Sequence, residues 1–268
     1  MIPSRPVRRA LVIALMAPLV AGFSLSVAAQ TKAPSMASTA AASPSVVLVH
    51  GAFADGSDWN KVVPLLQAKG VQVVAIQNPL TSLEDDVAAA RRAIEAQPGK
   101  VVLVGHSWGG TVITEAGNSD KVAALVYVAA FAPDAGEAAG QLGKNLPPPS
   151  GLAHLRPDAA GFLTLTPEGM SQHFAQDLPA AQTAVMSATQ GPIHSKTFEQ
   201  KVTAAAWKGR PSWYVVAAKD HMIPTALQQE MAKRIGAKVT TVDSSHVPQQ
   251  SKPEAVAAVI LEAVRASQ

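Results

Sequence analysis

Residues 101–110 read VVLVGHSWGG: four apolar residues, three of them β-branched, running straight into Gly105-His106-Ser107-Trp108-Gly109. A short apolar run of this kind fits a strand buried on both faces. The glycine-bracketed serine fits a sharp strand-to-helix turn that lifts one hydroxyl out at the strand's end. At such a turn, side chains flanking the serine would collide with the neighbouring strand and helix, which is the steric reason for the glycines. Ser107 is the candidate nucleophile. A serine in an ordinary glycine-rich turn is the alternative, and the rest of the chain decides between them.

Outward from that stretch, apolar runs and amphipathic segments alternate. Residues 45–50 read as a buried strand ending at Gly51, and 71–76, 121–128, 212–217 and 238–242 read as further strands. Between them the pattern predicts a helix running to Lys69 with Pro64 in its first turn, and another from the capping sequence Ser82-Leu83-Glu84-Asp85 to about Gln97. Further helices are expected from Trp108 to about Ala116, over 224–235 and over 253–264. Strands and helices alternating at this length imply a parallel sheet covered on both faces. From 134 to about 208 no strand pattern appears. Short helical pieces broken by proline and glycine, with Phe162, Met170, Phe174, Met186, Phe198 and Trp207 scattered through them, suggest an apolar lid over a pocket.

The 268 residues suffice for one large α/β domain, expected here over 45–268. The formal charge of +3 comes from 22 basic and 19 acidic residues, and Arg5, Arg8 and Arg9 account for the whole excess. Without them the chain is balanced, so nucleic-acid binding loses its electrostatic argument. Those arginines, the apolar stretch from Ala10 and the small residues Val27-Ala28-Ala29 match a secretory signal peptide over 1–29, with periplasmic or secreted localisation and no stable membrane span after cleavage; an uncleaved membrane anchor is the alternative, weakened by Gly22, Ser24 and Ser26. Residues 30–44, rich in Ala, Ser, Thr and Pro, read as a disordered linker. There is no cysteine, which excludes disulfides and thiolate chemistry. No HExxH or paired-histidine spacing is present, so no metal is expected.

A serine hydroxyl needs a base to take its proton during attack, and the base needs a carboxylate to hold its tautomer. Ser107, Asp220 and His246 occur in that order, each just past the carboxyl end of an expected strand, the edge where parallel sheets hold ligands. Asp134 and Asp243 compete for the acid's role. Asp220 is preferred because an acid past the penultimate strand leaves room for the imidazole to lie between it and Ser107. Of the other histidines, His50 is expected to make structural hydrogen bonds, His221 to point away from the acid beside it, and His154, His173 and His194 to be solvated in the lid.

These motifs together resemble the α/β-hydrolase superfamily from about Ser45 to the C-terminus. The resemblance is carried by Leu48-Val49-His50-Gly51-Ala52-Phe53, Gly105-His106-Ser107-Trp108-Gly109-Gly110, Lys219-Asp220-His221-Met222-Ile223-Pro224 and Ser245-His246-Val247-Pro248. The small esterase and hydroxynitrile-lyase-like branch is the nearest in flavour. The resemblance implies a mostly parallel sheet with helices on both faces and a helical lid between the sixth and seventh strands of that fold. It implies backbone N–H groups of Ala52 and Trp108 as oxyanion donors, with Phe53 a neighbour, and chemistry without a cofactor. The Trp108 side chain, Phe53, Phe131 and the apolar lid point to a moderately hydrophobic small-molecule ester substrate. Val247 stands where the lyase relatives place a lysine, which weakens a lyase reading; a non-catalytic binding protein on the same scaffold is the alternative from another class.

Overall fold

The computed structural model describes residues 43–268. Six strands form one sheet: β1 (Ser45–Val49), β2 (Val73–Ala75), β3 (Val101–His106), β4 (Val122–Val128), then, after the insertion, β8 (Ser212–Ala217) and β9 (Lys238–Val242). Their spatial order is β2-β1-β3-β4-β8-β9, and every neighbouring pair is parallel. β3 sits near the middle of the sheet, which is why its sequence is apolar on both faces. Alternation sends Val101 and Leu103 into one apolar layer and Val102 and Val104 into the other.

The first layer packs against α2 (Leu83–Glu95), α3 (Trp108–Ala116) and α6 (Thr225–Arg234), and the second against α1 (Val63–Gln67) and the C-terminal α8 (Pro253–Ala266). Pro64 occupies the first turn of α1, where the missing N–H costs nothing. Ser82 caps α2 by accepting from the Asp85 N–H at 3.0 Å. A short α7 (Pro248–Ser251) precedes α8. The leader and most of the linker expected from the sequence lie outside the described residues.

The structure corrects the reading of the insertion. It contains a small antiparallel sheet of β5 (Leu155–Pro157), β6 (Phe162–Leu165) and β7 (Ile193–His194), with α4 (Pro167–Gly169), a π-helical turn over Met170–Phe174 and α5 (Ala180–Thr189). Strands of two to four residues offer too few alternations for a period to register. Among the described residues, the insertion runs between the fourth and fifth of the six strands of the parallel sheet.

One buried carboxylate ties α2 to the turn after β3. Asp86 accepts from the Trp108 indole N–H at 2.8 Å and from the Leu80 backbone N–H at 2.7 Å. Burial pushes its carboxyl up to about 6, against the pull of those two donors. A raised folded-state value means that Asp86 stabilises the fold below the ordinary carboxylate range and that this contribution disappears as pH climbs through about 6. Urea unfolding of wild type and Asp86→Asn is therefore expected to favour wild type more at pH 4 than at pH 7, by roughly 2–3 kcal/mol. A difference between the two proteins that stays constant with pH would contradict the assignment.

Candidate active site

The turn at the end of β3 has the geometry that its glycines anticipate. Ser107 is held at φ 53°, ψ −119°, a left-handed conformation for a residue with a side chain, and α3 starts at the next position. A Cβ on Gly105 would sit 2.5 Å from the Gly109 carbonyl oxygen, and one on Gly109 would sit 2.5 Å from that of Val49. The Ser107 carbonyl in turn accepts from the Gly110 and Phe131 N–H groups at 3.0 and 3.1 Å, pinning the turn to the end of β4.

Three side chains distant in sequence meet at the carboxyl edge of the sheet. His246 Nε2 lies 2.8 Å from Ser107 Oγ, and His246 Nδ1 lies 2.7 Å from Asp220 Oδ2. A carboxylate only accepts, so Nδ1 carries the proton and Nε2 is left to accept from the serine hydroxyl. Asp220 is itself fixed by three more donors: Oδ1 accepts from the Met222 and Ile223 N–H groups at 2.7 and 2.9 Å, and Oδ2 from Gln228 Nε2 at 2.7 Å. The rival carboxylates are engaged elsewhere, Asp134 with Lys208 at 2.5 Å and Asp243 with Lys219 at 2.8 Å.

Ala52 lies on the loop after β1 and lines the same pocket as Ser107. Among the described residues, neither the Ala52 nor the Trp108 N–H has a protein acceptor, so both donors are free. His50 is structural, as its position suggests: its ring bonds the Gly51 carbonyl and accepts from the Asn78 N–H, each at 2.8 Å.

The hydroxyl opens into a cavity of about 460 Å³ that Phe53, Phe131, Phe174, Phe198, Leu146 and Leu227 help to line. Phe53 and Phe131 are thus pocket residues by position. The Trp108 side chain is not, which corrects one expectation. Its indole turns into the core, where it bonds Asp86 and meets the Phe198 ring edge-on at 5.3 Å. In the lid, His154 stacks on His173 with ring centroids 4.4 Å apart, and both rings stay partly exposed.

The bonds that steady the histidine loop come from residues with no motif in the sequence. Asp177 of the insertion accepts from the Ser245 N–H at 2.9 Å, and Gln182 of α5 bonds Gln250 of α7 at 2.9 Å. On the acid's side, Gln176 donates to the Lys219 carbonyl at 2.6 Å. The insertion therefore braces the loops carrying Asp220 and His246 as well as covering the pocket. Contacts across so many residues leave no local signal. Gln228 is different, since its place one helical stretch after Asp220 offered a cue.

The family model for the alpha/beta hydrolase family matches residues 46–259. The chain belongs to the alpha/beta hydrolase family. It is similar to a pyrethroid hydrolase of Sphingobium wenxiniae, 26% identical over 249 residues that cover 80% of this chain and 85% of the relative. It is likewise similar to Methylesterase 3 of Arabidopsis thaliana, 26% identical over 81% of this chain and 94% of the relative. In fold, this alpha/beta hydrolase matches the crystal structure of a pyrethroid hydrolase from Sphingobium faniae with a TM-score of 0.72, at 24% identity, covering 83% of this chain and 98% of that one. These relatives support hydrolysis as the class of chemistry.

Burial holds the His246 ring below its ordinary value, opposed by the adjacent Asp220. The ring is thus neutral at neutral pH, with Nε2 able to accept a proton. Nuclear magnetic resonance titration of its ring in the full chain is expected to give a midpoint below 6.5, the ordinary value for histidine. Asp220→Asn, which removes the opposing charge, is expected to push that midpoint lower still; an unchanged or raised midpoint would contradict the pairing.

Proposed function

We propose that this hydrolase cleaves carboxylic esters of moderately hydrophobic substrates through an acyl-enzyme on Ser107, with His246 as general base and acid and Asp220 as the group that orients it. The observation that carries this reading is the unbroken relay from Ser107 Oγ through His246 to Asp220, 2.8 and 2.7 Å long, at the floor of an apolar cavity.

The chemistry follows from these atoms. Ser107 Oγ attacks the ester carbonyl carbon as its proton passes to His246 Nε2. The carbonyl oxygen gains charge and is received by the free N–H groups of Ala52 and Trp108, donors already aimed before the charge forms; each is worth on the order of 3 kcal/mol in such sites. Collapse breaks the carbon–oxygen bond to the alcohol, which takes the proton from His246 and leaves. Water then repeats the sequence on the acyl-enzyme, releasing the acid and restoring the serine. Asp220 stays ionised throughout and stabilises the imidazolium.

The lining supports an apolar acyl or alcohol group, with Phe53 and Phe131 beside the serine and Lys144 the sole charged side chain among the lining residues. That the relatives include a methylesterase and a pyrethroid hydrolase adds to this reading. Export to the periplasm or medium, with a leader removed after Ala29, belongs to the same proposal and is supported by the basic start and apolar stretch of residues 1–29. Mass spectrometry of the protein secreted by an expressing cell is expected to find Gln30 at the amino terminus; an intact Met1 would contradict cleavage.

Ser107→Ala is expected to lower kcat on p-nitrophenyl esters by roughly 10³-fold or more and to abolish labelling by a fluorophosphonate probe. Across p-nitrophenyl esters of graded length, kcat/KM is expected to rise from acetate to medium acyl chains as the cavity fills. A wild-type protein that neither labels nor turns over any ester of the series would favour a binding role on the same scaffold.

A further inference from the structure

A second buried carboxylate–imidazole pair stands directly behind the candidate base. His106, the last residue of β3, is completely buried with its ring centroid 4.8 Å from that of His246. Its Nε2 lies 2.9 Å from the His246 carbonyl oxygen. That oxygen can only accept, so Nε2 carries a proton. The other nitrogen, Nδ1, is 3.2 Å from Asp58 Oδ2, close enough for an ion pair though its angle falls short of a hydrogen bond.

Asp58 lies in the 3₁₀ turn Gly56–Trp59 after β1 and is buried with its partners. Its Oδ2 accepts from Gln249 Nε2 at 2.5 Å, and its backbone carbonyl accepts from Gln250 Nε2 at 2.6 Å. Both glutamines belong to α7, which begins two residues after His246. Burial pushes the Asp58 carboxyl up, but the His106 ring, then Gln249 and His50, more than offset this and leave it below its ordinary value. Asp58 is thus a carboxylate, and its Oδ2, which can only accept, faces the ring at His106 Nδ1.

A buried ion pair contributes little net stability compared with well-packed apolar residues, so its presence beside the base calls for another reason. We propose that Asp58 and His106 are positioning residues for His246, clamping the backbone of the base at its carbonyl and at α7 while placing a cationic ring against its imidazole. This rests on the ester-hydrolase reading of Ser107 and His246. Asp58 and His50 face His106 from the end of β1 and the turn after it, and His246 faces it from the loop after β9; the rings of Trp59 and Phe174 complete the enclosure without charge. Around His246 the titratable groups are Asp220, His106 and Asp58. His106 opposes protonation of His246 more than Asp58 favours it. Removing the pair's charges therefore makes the base easier to protonate.

The test is Asp58→Asn in the full-length chain, which keeps the side-chain shape and lets the new amide donate to a neutral His106. With p-nitrophenyl butyrate, kcat is expected to fall roughly tenfold with KM within about twofold, a fraction of what a well-placed general base contributes. The acid limb of kcat/KM and the resonance midpoint of the His246 ring are both expected to move to higher pH, by about half a unit or more. A folded variant with unaltered kcat and an unmoved midpoint overturns the proposal, even if its melting temperature falls. Should the variant not fold, nitrogen-15 spectra of the wild-type histidines decide: protons on both ring nitrogens of His106 are expected, and a bare Nδ1 overturns it. Wild-type protein that hydrolyses no ester, while the His246 midpoint still shifts in Asp58→Asn, would count against the hydrolase reading and not against the pair.

Discussion

The hydrogen bond from Ser107 Oγ to His246 Nε2 joins residues 139 positions apart, and most of the architecture can be read as the means of making it short. At one end the serine is forced out of line by a left-handed turn that only works where two glycines let α3 pass close to β3 and β1. At the other end the imidazole sits on a loop with no regular structure of its own, so its position must be supplied by neighbours. Asp220 holds the ring, Asp177 holds the Ser245 N–H and His106 meets the His246 carbonyl. A misplacement of the order of an ångström at either end would remove the proton path, which is why loops are braced here by buried polar bonds and not by apolar packing alone.

The insertion takes part in both tasks. Its aromatic and aliphatic residues form much of the cavity wall, while Asp177, Gln176 and Gln182 reach back to the loops around Asp220 and His246. Covering the site and holding it in register are therefore coupled, and a change in the insertion that leaves the pocket's volume intact can still disturb the chemistry.

What could be read from the chain was what is written locally. The run from Val101 to Gly110 carries strand, turn and helix start in ten consecutive residues, and the order of serine, acid and histidine follows from where successive strands end. The glycines and prolines marked most helix limits, and β2 came out shorter than its apolar run because only Val73–Ala75 pairs with β1. The small sheet of the insertion escaped notice because its strands are shorter than one clear alternation. Trp108 was misjudged for a different reason: its backbone belongs to the site, yet α3 turns its indole inward to Asp86, and a sequence does not say which way an apolar side chain beside a pocket will point. The Asp58–His106 pair was hidden by distance, since its glutamine partners follow Asp58 by about 190 residues.

In the proposed reaction, Ser107 and the two free backbone donors converge on one reacting carbonyl. A crystal structure of the protein after reaction with a fluorophosphonate tests it most directly. Phosphorus is expected on Ser107 Oγ, with its unesterified oxygen within hydrogen-bond distance of both the Ala52 and Trp108 N–H groups and its organic chain lying among Phe53 and Phe131. An unmodified Ser107, or a phosphonyl oxygen directed away from those two N–H groups, would contradict it.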